Sequence, residues 1–149
     1  MPKFATGNMW DAYDEADLFC ITTNSYIKQN GALTMGRGIA REAKLRFPGL
    51  EYRLGAAIED DCGSTGKYGL LVDCDTKIAA FQTKYTWFRD ASLELITYSV
   101  SHLLVYITTR RLGNVQLNFP GINNGRLTRA EVLPLLLALP DSVTIWELK

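Results

Sequence analysis

Leu18-Phe19-Cys20-Ile21-Thr22-Thr23-Asn24, followed by Asn30-Gly31-Ala32-Leu33-Thr34-Met35-Gly36-Arg37-Gly38-Ile39-Ala40, is the stretch around which this chain is organised. Leu18 to Thr23, apolar without alternation over Leu18-Phe19-Cys20-Ile21, reads as a strand covered on both faces of a parallel or mixed sheet. The second run is a polar glycine loop. Beyond it, Ile39, Ala40, Ala43, Leu45 and Phe47 interleave with Arg37, Arg41, Glu42, Lys44 and Arg46. That spacing predicts an amphipathic helix from Gly38 to Phe47, stopped by Pro48-Gly49. Strand, glycine loop and helix start together present backbone N–H groups and a positive helix end to an anionic ligand.

A second loop, Pro120-Gly121-Ile122-Asn123-Asn124-Gly125-Arg126, has the same flanks. A strand from Asn114 to Phe119 precedes it. A helix carrying Val132, Leu133, Leu135, Leu136 and Leu139 follows, with Thr128 and Glu131 spaced as a capping box and Pro140-Asp141 as its end. Asparagine tolerates the left-handed region, so Asn123-Asn124 can take over part of glycine's role. One such loop is an ordinary turn. Two in matching context predict one site, at the carboxyl ends of strands, with the loops as its two lips. Neither loop is a standard nucleotide fingerprint: the Lys-Ser/Thr of a phosphate-binding loop is missing, and so is the dinucleotide glycine spacing.

Working outward, Lys3 to Thr6 is a short candidate strand, and Asp11 to Asp17 is polar and turn-rich. Leu50 to Ile58 reads as a second short helix, and Glu59 to Gly66 as an acidic, then small-residue, loop. Lys67 to Asp73 and Lys77 to Thr83 read as strands joined through Asp73-Cys74-Asp75-Thr76. Ala91 to Thr109 has helical spacing, with Asp90 as N-cap and Arg110-Arg111 before Gly113 as its end. Val143 to Leu148 is a last strand. This series predicts an α/β fold with helices on both faces of a mixed sheet, and residues 1–149 as one domain.

Hydrophobic residues make up 47% of the 149 positions, enough for a substantial core. Sixteen basic and sixteen acidic side chains cancel, which argues against a general nucleic-acid or membrane-surface binder. A local basic patch remains open. Cys20, Cys62 and Cys74 form no CxxC pair, so a reduced, cytoplasmic setting is expected. Met1-Pro2-Lys3-Phe4 has no apolar signal segment, and no apolar run approaches the ~20 residues of a membrane span. With His102 as the single histidine, a multi-histidine metal site is unavailable; no metal and no cofactor are expected.

At this point the chain resembles a known family. Asn24 and the run Gly31-Ala32-Leu33-Thr34-Met35-Gly36-Arg37-Gly38-Ile39-Ala40, continuing to Phe47-Pro48, resemble the macrodomains. The Met-Gly-x-Gly-Ile-Ala core leading into a basic helix looks most like one branch, the terminal ADP-ribose protein glycohydrolases and the antitoxins that remove ADP-ribose from DNA bases. Gly7-Asn8-Met9 resembles the motif beside the adenine, and Pro120 to Gly125 the second phosphate loop. The resemblance spans nearly the whole chain in order. It implies a three-layer α/β/α fold with a central mixed sheet and a cleft for ADP-ribose. Asn8 would face the adenine, with Met9 supplying backbone contacts, and Asn24 would approach the distal ribose. Gly31, Ala32, Met35, Gly36 and Gly38 from one loop, with Pro120, Gly121, Ile122, Asn123, Asn124, Gly125 and Arg126 from the other, would bracket the diphosphate.

The same resemblance makes Lys84 the candidate catalyst, because the branch carries a lysine in a Thr-Lys context at a strand end, as in Gln82-Thr83-Lys84. A lysine amine can attack an anomeric carbon, or stabilise an opened sugar, if its pKa is low enough to leave free amine. The chain departs from the eukaryotic glycohydrolase, which has an aspartate after the second loop; here Gly125-Arg126-Leu127-Thr128 has no acid. The expected function is binding of ADP-ribose and metal-independent hydrolysis of an ADP-ribosyl linkage on protein or DNA, by a monomer. The rivals are a non-catalytic ADP-ribose reader and an ADP-ribose 1″-phosphate phosphatase.

Several other groups have a bland reading beside the functional one. Asp60 and Asp61 make a solvated acidic face rather than a cation site. Tyr85, Trp87 and Phe88 are expected at a core edge ahead of stacking on a base. Arg37, Arg41, Lys44 and Arg46 form a solvated helix face, or meet the phosphates of a larger substrate. His102 is expected to be structural.

Overall fold

The computed structural model describes residues 1–148. Six strands, β1 (Lys3–Thr6), β2 (Leu18–Thr23), β3 (Leu70–Asp73), β4 (Ile78–Gln82), β5 (Val115–Asn118) and β6 (Val143–Glu147), form one sheet in the order β1-β6-β5-β2-β4-β3. All neighbours are parallel except β3 and β4, which pair antiparallel. The sheet is therefore mixed, and among the described residues its antiparallel pair, β3 and β4, sits at one edge.

The absence of alternation in Leu18-Phe19-Cys20-Ile21 has a direct structural consequence. Successive side chains point to opposite faces, and here both faces are covered. Phe19 and Ile21 pack with Ile78 and Ala80 beneath α1 (Gly38–Arg46) and α2 (Leu50–Cys62). Leu18 and Cys20 pack with Ala79, Phe81, Val115 and Leu117 beneath α3 (Leu93–Arg110) and α4 (Arg129–Leu136). The result is the expected three-layer α/β/α arrangement. Phe19 and Phe81 are both fully buried, and truncating either to alanine costs about 3–5 kcal/mol.

Several boundaries move for identifiable reasons. The stretch Glu59 to Cys62, expected as loop, continues α2: Leu54 and Ile58 are buried and Cys62 packs partly against the same core, while Glu59, Asp60 and Asp61 face solvent. The N-cap of α3 is Ser92, whose hydroxyl accepts from Leu95 N at 3.2 Å, and not Asp90, whose carboxylate instead meets Arg126. The helix ends at Arg111, itself left-handed at φ 54, without using Gly113. β3 starts at Leu70 because the Tyr68 and Gly69 amides bond the Gln82 side chain. At α4 the capping box of Thr128 and Glu131 is present as expected.

Candidate functional site

β1, β6, β5, β2 and β4 are mutually parallel, so their carboxyl ends share one sheet edge. From β1 to β4 that edge spans four strand spacings, about 19 Å at ~4.8 Å each. The connections reverse direction between β2 and β5: the chain leaves β2 through α1 and α2 towards β4, then returns through α3 to β5 on the other side. Such a reversal opens a crevice where loops part to opposite faces. A cleft of about 1260 Å³ lies along this edge.

The first loop leaves β2 at Asn24. The Asn24 side chain is occupied in holding that loop: Oδ1 accepts from Tyr26 N at 2.9 Å, and Nδ2 donates to the Thr34 carbonyl at 3.1 Å. It lines the cleft, as does the run from Thr34 to Ala40. Gly31 and Ala32, expected at the diphosphate, are not cleft residues. Ala32 is buried, and this part of the loop turns inward onto α2, where Leu33 N donates to the Glu51 carbonyl at 2.9 Å. A Cβ on Gly55 of α2 would lie 2.1 Å from the Gly31 carbonyl oxygen, so only glycine permits this seating. Met35 is buried in the core and borders the cleft as well. α1 starts behind Arg37 with no side-chain cap, so its first N–H groups remain for an anion.

The second loop leaves β5. Gly121, at φ 82, carries no Cβ because one would stand 2.7 Å from Ile96 Cδ1. Asn123 is left-handed at φ 58, as its residue type suggests, and so is Arg126 at φ 63. Ile122 through Arg126 line the cleft, together with Gly121; Pro120 is buried behind them and does not.

Lys84 closes one end. Its ammonium donates to the Asn124 carbonyl at 2.9 Å, and Trp87 O lies 3.5 Å away. Burial, then the positive charges of Arg126 and Arg37, hold its pKa below the usual lysine range, with Asp90 opposing. Arg126 and Asp90 pair at 3.3 Å. The backbone beneath Lys84 is held by Gln82, a fully buried amide with every position used. Gln82 Oε1 accepts from Tyr68 N at 2.8 Å and Gly69 N at 3.0 Å; Nε2 donates to Gly66 O at 2.6 Å and Lys84 O at 3.2 Å. Trp87 and Phe88 are not core-edge residues. They are 51% and 54% exposed, meet edge to face at 5.4 Å, and line the cleft beside Lys84. Tyr85 is exposed but outside the cleft lining.

The β1 and β6 strand ends form the other extremity. Asn8 Oδ1 accepts from Trp10 N at 3.1 Å, capping a short 3-10 turn, Met9–Ala12. Trp10 is buried and stacks on Phe19 with centroids 4.5 Å apart; the Arg46 guanidinium lies 4.3 Å over its ring. Its indole N–H donates to Glu42 Oε1 at 3.1 Å. Trp146, Glu147 and Leu148 complete this end.

Of the basic helix face, Arg37 reaches the cleft and Arg46 covers Trp10, while Arg41 and Lys44 do neither. Asp60 and Asp61 stay exposed on α2, and His102 packs on Tyr98 at 4.4 Å, away from the cleft. Sequence reasoning missed Gly55, Glu42, Gln82 and Trp146 as parts of the site. A glycine inside a helix is a recognisable sign of close approach. The other three carry no local signal, because their partners are distant in sequence.

No protein-family model matches the chain, and no curated protein matches it. Solved structures do. The macrodomain of Thermus aquaticus DarG superposes with a TM-score of 0.70 at 22% identity, covering 100% of this chain and 98% of that one. The macrodomain of Mycobacterium tuberculosis DarG gives 0.74 at 24% identity, covering 98% and 97%. The chain has the macrodomain fold. A third structure, Thermosipho africanus DarTG in complex with ADP-ribose, gives 0.72 at 17% identity, covering 99% of this chain and 42% of that longer one. In the macrodomain fold of this chain, the two loops after β2 and β5 stand at the reversal of strand order, and Lys84 stands at the end of β4.

Proposed function

We propose that the cleft binds ADP-ribose and that Lys84 assists hydrolysis of an ADP-ribosyl linkage to a protein or nucleic-acid acceptor, without a metal. The observation that carries this reading is the position of the Lys84 amine. It sits at one end of a cleft whose centre is formed by two strand–loop segments rich in backbone donors, and it touches the second of them. Backbone N–H groups and a helix start suit a diphosphate without requiring net positive charge. The Thermosipho neighbour, solved with ADP-ribose, supports the choice of ligand.

In the proposed reaction the free Lys84 amine attacks the anomeric carbon of the distal ribose. A carbon–nitrogen bond forms as the bond to the acceptor breaks, and the acceptor leaves with the bonding pair and takes up a proton. Water then adds at the same carbon, the carbon–nitrogen bond breaks, and ADP-ribose leaves with the amine restored. Burial and the neighbouring cations Arg126 and Arg37 lower the Lys84 pKa, which raises the fraction of free amine available for this step.

A second reading is favoured by one observation. The stretch Gly125-Arg126-Leu127-Thr128 has no acid where the eukaryotic branch has an aspartate, and Arg126 pairs with Asp90. On that reading the protein is a reader that binds without turnover. Calorimetry with ADP-ribose tests the shared premise, and absence of heat at millimolar ligand removes it. Release of ADP-ribose from modified protein or modified DNA, abolished in Lys84→Ala with binding retained, selects the enzyme. Binding without release in the native protein selects the reader. Release undiminished by EDTA tests metal independence.

A further inference from the structure

We propose that Glu42 is the residue that reads the base, selecting a 6-aminopurine over a 6-oxopurine. The inference rests on the reading that the cleft takes ADP-ribose. The two ends of the cleft differ in chemistry: Lys84, Arg37 and Arg126 gather at one, and Met9, Trp10 and Trp146 at the other. A flat, weakly polar ring belongs with the aromatic and apolar side chains, and the charged and hydroxylated part of the ligand with the cations.

At the aromatic end the polar side chains are Asn8, Glu42 and Glu147. Asn8 Oδ1 is engaged by Trp10 N, and Glu147 Oε1 by Arg129 Nε at 2.8 Å. Glu42 differs. One of its oxygens accepts the Trp10 indole N–H at 3.1 Å, and among the described residues no cation pairs with its carboxylate. Its second oxygen is left as an acceptor in a residue that lines the cleft. An ionised carboxylate accepts and never donates. It therefore favours the exocyclic amino group of adenine and disfavours the 6-carbonyl of hypoxanthine, which differs as well at N1, an acceptor in adenine and an N–H donor in hypoxanthine. Trp10 makes the selection directional. It is buried and stacked, so its N–H is a fixed donor that determines which way the Glu42 head group is turned.

That geometry predicts an inversion. In Glu42→Gln the amide oxygen takes the Trp10 N–H, and the amide NH2 replaces the free carboxylate oxygen. A donor then stands where an acceptor stood, and a 6-oxo group is preferred. The experiment is calorimetric titration of the native protein and E42Q with ADP-ribose and with its hypoxanthine counterpart, inosine diphosphate ribose. The native protein is expected to favour ADP-ribose by about tenfold, the lower part of the range for hydrogen-bond readout of a base because Glu42 is solvent-exposed. E42Q is expected to bring the ratio to one or below while still binding at least one ligand. An unchanged ratio in E42Q, equal affinities in the native protein, or loss of both ligands together in E42Q overturns the assignment while ADP-ribose binding by the native protein stands. Failure of the native protein to bind either ligand overturns the reading of the cleft itself.

Discussion

The Lys84 ammonium donates to the carbonyl of Asn124, 2.9 Å away and 40 positions further along the chain. This bond ties the end of β4 to the second loop, whose left-handed Asn123 and Arg126 present the carbonyl. The amine is thereby stationed at the cleft's cationic end.

Turnover that uses the free Lys84 amine rises with pH and levels off above the Lys84 pKa, which lies below the ordinary lysine value. Arg126→Ala removes a cation that disfavours the protonated form, so the pKa climbs and the rise moves to higher pH. Asp90→Asn removes the opposing negative charge, and the rise moves to lower pH. The measurement is kcat against pH for the three proteins. Shifts in the reverse directions contradict the assignment of Lys84 as the titrating group.

Gly55→Ala places a methyl group 2.1 Å from the Gly31 carbonyl oxygen, a contact that only backbone movement can relieve. The expected loss of stability is about 1–3 kcal/mol, the range for overpacking. The first loop is the element displaced, so ADP-ribose affinity falls with it. Denaturant unfolding and calorimetry on the same variant check both parts.

Asp73 anchors the β3–β4 hairpin to α2. Burial pushes its carboxyl pKa up, but hydrogen bonds from Arg53 and Thr76, with the Arg53 charge, outweigh burial and leave it below the usual range. Both Arg53 contacts are close, at 3.0 and 3.2 Å. Asp73→Asn is expected to cost about 1–3 kcal/mol at neutral pH. The folded pKa is depressed, so the contribution is complete above the unfolded value of about 3.9. It is lost as pH falls through the lower folded value. Native and variant unfolding curves at pH 7 should differ, and at pH 3 should draw together.

Trp87→Ala and Phe88→Ala are expected to change stability by no more than about 0.5 kcal/mol each, since both rings are half in solvent. Thermal unfolding checks this. A loss of several kcal/mol returns these residues to the core edge, where their composition alone had suggested them.

Much of the fold was legible in local pattern. The unalternating run Leu18 to Thr23 announced a strand buried on both faces, and its bounds are those of β2. The Thr128–Glu131 capping box is closed by residues three apart, so its geometry is local and readable. Where a boundary failed, a distant contact decided it. Cys62 stays helical because it packs partly into the α1–α2 core, and Asp90 is drawn from capping α3 by Arg126.

The candidate site divides in the same way. Two glycine-bearing loops after strands were visible, because the conformations such loops need restrict residue type at each position. That Gly31 and Ala32 turn away from the cleft was not visible, because Gly55 of α2 determines where they rest. By itself the sequence placed most of the strands and helices and the two loops, all properties of neighbouring residues, and the likeness of its motifs to a known family made Lys84 a candidate. Only the tertiary structure decided that Lys84 meets Asn124, that burial, then Arg126 and Arg37, lower its pKa, and that Trp10 holds Glu42 at the opposite end. These depend on strand order, since the sheet places β4 and β1 four spacings apart along one edge and brings together at each end residues the chain keeps far from one another.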